Sequence, residues 1–448
     1  MEIFGVNPGR RIAAYFAGAI IVGTILLSLP VSGSNGPIGV IDALFTATSA
    51  VCVTGLTVID TGTGFSLFGQ IVILILIQLG GLGIMTFATA LFAALGSTLS
   101  FGDRFGLLQS FLAKDGGKPI SLLKAVIITT LSLELIGAIF LFFKFRVDFG
   151  IAKAAYYAIF HSVAAFCNAG FSTFSSNLEN YRTDIGMIAI FSALIICGGL
   201  GFAVIHELFD KLRDRNARLS LHTKLCLTGT LALLVIGTAS FFVAEYQNAL
   251  QGRSFINGLA NAFFQSVTSR TAGFNTIPQT GLTELSLMIT MLLMFIGACP
   301  GSTGGGIKIT TLAVILLLVY NRFVGRNYIT VFRRSISQES IVRALTVFIL
   351  SSFVILLAIC LLMFIEKLPL AHNIAHGWLD EVMFETISAF GTVGLSLGLT
   401  PKLSDFGKLV ITLTMFTGRI GLLTLAYALA GPLKQGEIVY AEEPVMTG

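Results

Sequence analysis

The sequence predicts an all-α membrane protein. Four tandem repeats of helix, pore helix, filter bend and helix would give eight transmembrane helices in a pseudo-fourfold arrangement around one pore. Composition, a recurring bend and a shared register predict it. Of 448 residues, 55% are hydrophobic and 11% charged, whereas a soluble chain carries about a quarter charged residues. Four times an apolar stretch ends in a small-residue bend containing glycine, and a long apolar stretch follows. The bends read Val53-Thr54-Gly55-Leu56-Thr57, Asn168-Ala169-Gly170-Phe171-Ser172, Thr271-Ala272-Gly273-Phe274-Asn275 and Thr392-Val393-Gly394-Leu395-Ser396. With the four glycines superposed, the residue ten positions earlier is Phe45, Phe160, Phe263 or Phe384. Phenylalanine fills 38 of 448 positions, so chance gives that column about once in twenty thousand and descent from one unit is the better account.

A membrane-spanning helix needs about 20 mostly apolar residues. In the first repeat, 1–98, Arg11–Leu29 precedes the bend and Leu67–Leu95 follows it. No small-residue cleavage site follows the first segment, which is therefore read as a helix and not a removed signal. In the second repeat, 99–215, the pair is Ile120–Phe143 and Ile185–Leu208. In the third, 216–325, it is Leu225–Val243 and Leu285–Tyr320, the latter interrupted by a loop at 297–308. In the fourth, 326–448, it is Ala344–Ile365 and Lys408–Ala430, with a short polar tail past Leu433. The stretch before each bend holds about 10–14 residues, or about 15–21 Å of helix. That is too short for a hydrocarbon core of about 30 Å, so the chain should enter and leave on one side. Its irregular backbone must then be buried in protein or face water, which places the bends on a pore.

Cys52, Cys167, Cys197, Cys226, Cys299 and Cys360 lie in or beside apolar segments without metal-ligand or paired spacing, and read as buried small residues. No soluble domain and no nucleotide-binding glycine motif is visible, and a net charge of +5 needs no nucleic acid to explain it. The few His and Cys residues are scattered, which argues against an intramembrane enzyme. Loops between repeats hold Arg104, Lys114 and Lys118, then Lys211, Arg213, Arg215, Arg218 and Lys224, then Arg322, Arg326, Arg333 and Arg334. Positive loops stay in the cytoplasm, so both termini are expected there and the bends open outward.

No bend contains Asp or Glu, which argues against a filter made of carboxylate rings. Backbone carbonyls are the remaining dense set of ligands, and glycine lets the backbone aim them inward. A weakly hydrated monovalent cation such as K⁺ suits such a site. The residues expected to supply carbonyls are Val53, Thr54, Gly55, Asn168, Ala169, Gly170, Thr271, Ala272, Gly273, Thr392, Val393 and Gly394. Asp42 and Glu381, near the starts of short helices, suit the positive helix end and read as capping residues. The opposite ends of those helices favour cations at the axis. Arg270 reads as support for the third bend through short-helix or loop oxygens. His161 and Glu385, each one residue after a register phenylalanine, also read as support, and Glu134 is a partner with no assigned contact.

The third-repeat helix is interrupted by Gly297-Ala298-Cys299-Pro300-Gly301-Ser302-Thr303-Gly304-Gly305-Gly306. Proline removes a helix hydrogen bond and each glycine costs about 1 kcal/mol of helix stability, so a loop is expected near mid-membrane, under the filter. Its glycines give it the freedom of a movable gate. Gly80-Gly81-Leu82-Gly83 and Gly198-Gly199-Leu200-Gly201 correspond to Gly418-Arg419-Ile420-Gly421. A buried arginine asks for a reason. Arg419 is expected to pair with carbonyls of the loop and to raise the barrier for cations. Lys308, at the loop's end, is expected to snorkel toward the cytoplasmic interface.

These motifs resemble the Trk/Ktr/HKT superfamily of potassium-translocating subunits, most closely the bacterial Ktr-type pore subunit. The resemblance covers essentially the whole chain and rests on the four bends, on Gly301-Ser302-Thr303-Gly304-Gly305-Gly306-Ile307-Lys308 and on Gly418-Arg419-Ile420-Gly421. It implies a homodimer in the bacterial cytoplasmic membrane and a cytosolic ring of nucleotide-binding (RCK/KTN-type) regulatory subunits. It also implies filter glycines at Gly55, Gly170, Gly273 and Gly394, K⁺ as the transported ion at their carbonyls, and no covalent cofactor. Sodium activation is left open. Some relatives carry serine at the first glycine and pass sodium, so Gly55 favours potassium. The alternatives are a sodium or mixed pathway on the same fold and an ion-coupled symporter with binding at broken helices.

Overall fold

The computed structural model describes residues 8–95, 119–326, 328–366, 377–422 and 424–425. Among them the chain is helical apart from one hairpin, Thr330–Val331 paired antiparallel with Arg334–Ser335. Among the described residues four helices are long and apolar enough to cross a membrane: Gly9–Leu27, Lys124–Asp148, Leu221–Glu245 and Gln338–Glu366. Each leads into a shorter helix, in turn Val40–Val51, Ile151–Phe166, Phe255–Thr268 and Trp378–Gly391. At 12 to 16 residues these are about 18–24 Å long, short of a full crossing.

A third set of helices trails the bends: Leu67–Leu95, Ile185–Leu200 with Phe202–Arg213, Glu284–Phe295 with Ile309–Phe323, and Asp405–Ile420. Their starts are written locally. Asp184, Thr283 and Ser404 accept the N–H of Met187, Ser286 and Gly407 as N-caps, each contributing about 1 kcal/mol. Every short helix packs on the leading helix before it, and Val40–Val51, Ile151–Phe166 and Trp378–Gly391 also pack on the trailing helix after them. Each trailing helix also packs on the next short helix, and Asp405–Ile420 returns to Val40–Val51. The packing order is therefore cyclic.

Glycine sets the closest approaches in that cycle. A Cβ on Gly80, Gly198 or Gly418 would run into the carbonyl of Val51, Phe166 or Phe390, near the end of the preceding short helix. The largest fully buried side chains are all phenylalanines and include Phe45, Phe160 and Phe384. At the third position Phe263 is only partly buried and Phe264 takes the interior place. Ile25, Leu135, Phe143, Val235 and Phe364 stand exposed on the long helices, as side chains in lipid do.

Several expectations need correction. Ile185–Leu208 is not continuous: the chain turns by 102° between Ile185–Leu200 and Phe202–Arg213. Gly201 takes φ 85° there, and the freed Phe202 N–H finds the Gly301 carbonyl at 3.3 Å. Asp405–Ile420 likewise breaks at Gly421, which has φ 84°, and helix resumes at Leu422, where the Leu425 N–H reaches the Gly421 carbonyl at 3.0 Å; residues 426–430 lie outside the described residues. Cys360 is exposed and Cys197 half-buried, unlike the other four cysteines. Arg104, Lys114, Lys118, the first repeat boundary and the tail past Leu433 lie outside the described residues.

Candidate functional site

The bends begin as helix C-terminal caps. Val53, Asn168, Thr271 and Thr392 all take positive φ, at 55°, 59°, 72° and 50°, and Gly55, Gly170, Gly273 and Gly394 follow two residues later at 94°, 69°, 77° and 90°. In the first, second and fourth bends the paired hydrogen bonds of a Schellman cap form. Val53 N–H reaches Ala50 O and Thr54 N–H reaches Ser49 O; Asn168 and Ala169 bond Ala165 and Ala164; Thr392 and Val393 bond Ala389 and Ser388. The third uses a single bond, Ala272 N–H to Thr268 O at 3.0 Å. The intervening Thr54, Ala169, Ala272 and Val393 keep negative φ. In an extended chain successive carbonyls alternate sides, but alternating the sign of φ turns them to the same side.

Two serines complete this polarity. Gly55 N–H donates to Ser49 Oγ and Gly394 N–H to Ser388 Oγ, each at 3.1 Å, so these N–H groups face back toward the helix. The glycines meet in sequence. A Cβ built on Gly55 lies 2.9 Å from Gly170 Cα, one on Gly170 lies 3.1 Å from Gly273 Cα, one on Gly273 lies 3.3 Å from Gly394 Cα, and one on Gly394 lies 3.0 Å from Gly55 Cα. The ring closes on itself. Residues following the glycines line a cavity of about 340 Å³. The β-branched residues at positive φ were not foreseen, since such conformations ordinarily belong to glycine or asparagine.

Residues preceding the glycines meet the interrupted loop. Gly304 packs on Thr271, Gly305 on Thr392 and Gly306 on Gly391, at distances that leave no room for a Cβ without adjustment. Gly297 N–H bonds Ile307 O at 2.7 Å, Cys299 N–H bonds Gly199 O at 3.0 Å and Thr303 N–H bonds Gly198 O at 3.2 Å. Pro300 and Gly301 sit over the break at Gly201, and Ser302 is buried. Arg419, 3% exposed, donates from one nitrogen to Thr303 O in the loop and from the other to Gly80 O at 2.8 Å. The loop was the expected partner, and Gly80 was not.

Lys308 departs from expectation. Its Nζ turns back to Gly304 O at 2.6 Å and Gly305 O at 3.4 Å, because those carbonyls lie within reach of its own loop. Arg270 is buried behind the third bend, but its guanidinium lies 3.5 Å from Thr230 O on Leu221–Glu245, not on short-helix or loop oxygens. Glu134 is held by Gln78 Nε2 at 3.1 Å and lies 3.8 Å from Cys167 Sγ. Asp42 makes no side-chain cap and pairs with Lys408 at 2.7 Å. His161 Nε2 lies 3.0 Å from Ser172 Oγ, and Glu385 accepts from Ser396 Oγ at 2.7 Å and from Thr400 Oγ1.

Comparison with known proteins adds a family. The model of the TrkH family, described as cation transport protein, matches residues 9–440. The Ktr system potassium uptake protein B of Bacillus subtilis is 42% identical over 99% of this chain and 97% of its own length. The potassium/sodium uptake protein NtpJ of Enterococcus hirae is 39% identical over 99% of this chain and 98% of its own. Among solved structures, the potassium transporter TrkH from Vibrio parahaemolyticus aligns with a TM-score of 0.76 at 20% identity, covering 96% of this chain and 86% of the other. At that identity the likeness speaks for the fold alone.

Proposed function

The chain belongs to the TrkH family of cation transport proteins, and from that membership we propose that potassium crosses the membrane through the ring of Gly55, Gly170, Gly273 and Gly394. The protein is a membrane-bound potassium uptake transporter of the Ktr/Trk kind. The observation that carries the route is the closed glycine ring, built of bends that share one alternation of φ and whose sequence contains no carboxylate.

A cation entering such a ring exchanges water oxygens for carbonyls already held in place. The twelve residues of the four bends from Val53 to Gly394 supply them, and the C-terminal ends of the four short helices add a negative field. On this reading the four bend-bearing units surround one pore. The loop from Gly297 to Lys308 is its gate, and Arg419 is the bolt that ties the gate to Gly80. A positive charge there repels the cargo, so transport requires the loop and the guanidinium to move aside. Both termini and the basic loops Lys211–Lys224 and Arg322–Arg334 then face the cytoplasm, where a nucleotide-binding regulatory ring docks on a homodimer. Relatives named as parts of a Ktr system support that assembly.

A second reading, mixed sodium and potassium passage, is favoured by one relative whose name carries both ions. Flux of K⁺ and Na⁺ into liposomes holding only the purified chain separates the two. Potassium preference supports the first reading, equal flux the second. Loss of both fluxes in a folded sample whose loop has been shortened refutes the route.

A further inference from the structure

Beyond each glycine the chain repeats a second pattern. The next residue is buried and apolar: Leu56, Phe171, Phe274 and Leu395 are at most 2% exposed. The one after it is polar, half-exposed and on the wall of the cavity: Thr57, Ser172, Asn275 and Ser396. One side-chain oxygen from each bend is therefore brought to the space just past the glycine ring.

Three of these side chains are turned by bonds from behind. Ser396 Oγ donates to Glu385 at 2.7 Å and accepts the Gly398 N–H at 3.0 Å. Its proton is spent away from the cavity; Thr400 Oγ1, 3.2 Å away, gives its own single proton to Glu385, so one lone pair of Ser396 remains. Ser172 repeats the arrangement. His161 Nδ1 lies 2.8 Å from the Tyr157 carbonyl, so that nitrogen carries the proton, and in the neutral ring Nε2 accepts the Ser172 hydroxyl at 3.0 Å. Ser172 Oγ also accepts the Phe174 N–H at 3.0 Å, again leaving one lone pair. The Asn275 amide nitrogen donates to Glu179 at 2.8 Å, which leaves Oδ1 as its free end. Hydroxyls at a water-filled wall would ordinarily present protons and lone pairs alike. Here the protons are drawn inward, and what remains is suited to a cation.

We propose that Thr57, Ser172, Asn275 and Ser396 form a second cation site, on the cavity side of the glycine ring, which takes a monovalent alkali cation still carrying part of its water. The site rests on the potassium route described above. It collects the ion and removes part of its hydration before the carbonyls complete the exchange. Glu385 and His161 act through the serines as positioning residues.

The test is initial K⁺ uptake by the full chain in liposomes, measured against external K⁺ concentration, with melting temperature as the check on folding. Ser172→Ala and Ser396→Ala should each raise the half-saturating concentration about fivefold, as loss of one contact of hydrogen-bond strength does. Maximal rate and preference for K⁺ over Na⁺ should stay near the unsubstituted values. Glu385→Gln should raise half-saturation in the same way, because Ser396 can then turn its proton to the cavity, and Ser396→Thr should restore it. Thr57→Val, close in volume, serves if either alanine variant fails to fold. Unchanged half-saturation in folded variants overturns the second site, as does selectivity falling in step with affinity. Absence of K⁺ uptake by a folded chain whose Gly297–Gly306 loop has been shortened refutes the route itself; normal uptake with unaltered variants refutes only the outer site.

Discussion

The Lys408 ammonium lies 2.7 Å from the Asp42 carboxylate across 366 residues of sequence, joining the last trailing helix to the first short helix. Both side chains are largely shielded, at 12% and 27% exposure. This pair fastens the point at which the cyclic packing closes. Asp42→Asn or Lys408→Met is expected to lower stability by about 1.5–3 kcal/mol, the range for a charge-assisted bond. Denaturation of the detergent-solubilised chain should show a coupling of about 1 kcal/mol in the double variant. Strict additivity would mean the two do not act together.

Arg419→Ala removes a cation from the proposed pathway and releases the Thr303 and Gly80 carbonyls. Potassium flux into liposomes is expected to rise about tenfold, equivalent to about 1.4 kcal/mol off the barrier, with ion preference kept. Reduced flux in a folded variant would rule out a blocking role for the guanidinium.

Gly55→Ser meets two obstacles. Gly55 has φ 94°, and a Cβ there collides with the Ala169 carbonyl of the neighbouring bend. Strain of about 1–3 kcal/mol is expected, with displacement of one quarter of the ring. Relative flux should move toward sodium; an unchanged K⁺/Na⁺ ratio would separate Gly55 from selectivity.

Asp184 gives a pH dependence outside the membrane segments. Burial alone would raise its carboxyl pKa, but the hydrogen bond from Lys144 and the Met187 N–H outweigh it, so the value lies below the ordinary 3.8. The folded pKa is the lower one, so the stabilisation is present above the unfolded value and disappears as pH falls through the folded one. Melting temperatures of the protein and of Asp184→Asn should differ at pH 7 and converge well below pH 4, where the carboxyl is protonated. A gap that persists in acid would assign the effect to packing.

Much of this was legible in the residues because the bends carry strong local signals. Glycine, a short preceding helix and the register phenylalanine each constrain backbone or burial without help from distant chain. What stayed hidden depends on partners far away. Gly80–Gly83 and Gly198–Gly201 read alike, yet Leu67–Leu95 runs through the first as one helix while the second breaks at Gly201. At that break the Gly301 carbonyl receives the Phe202 N–H, a partner to which neither composition nor periodicity points. Lys308 departs from expectation for a similar reason: snorkelling assumes that water is the nearest acceptor, and two loop carbonyls are nearer. Val53 and Thr392 at positive φ were unforeseeable from side-chain preference, which opposes that conformation. The caps and the neighbouring bends overrule it.

The glycine ring is encoded in a single chain, and its four quadrants are not copies. Ser49 and Ser388 hold two glycine amides, while the third bend is capped by a single bond and has its interior phenylalanine shifted by one place. A ring assembled from four identical subunits must accept every mutation four times over. In this protein one quadrant can drift while three hold the geometry. On the proposed route, ion preference is open to adjustment in quarter steps, by substitutions that an exact tetramer would suffer four times over.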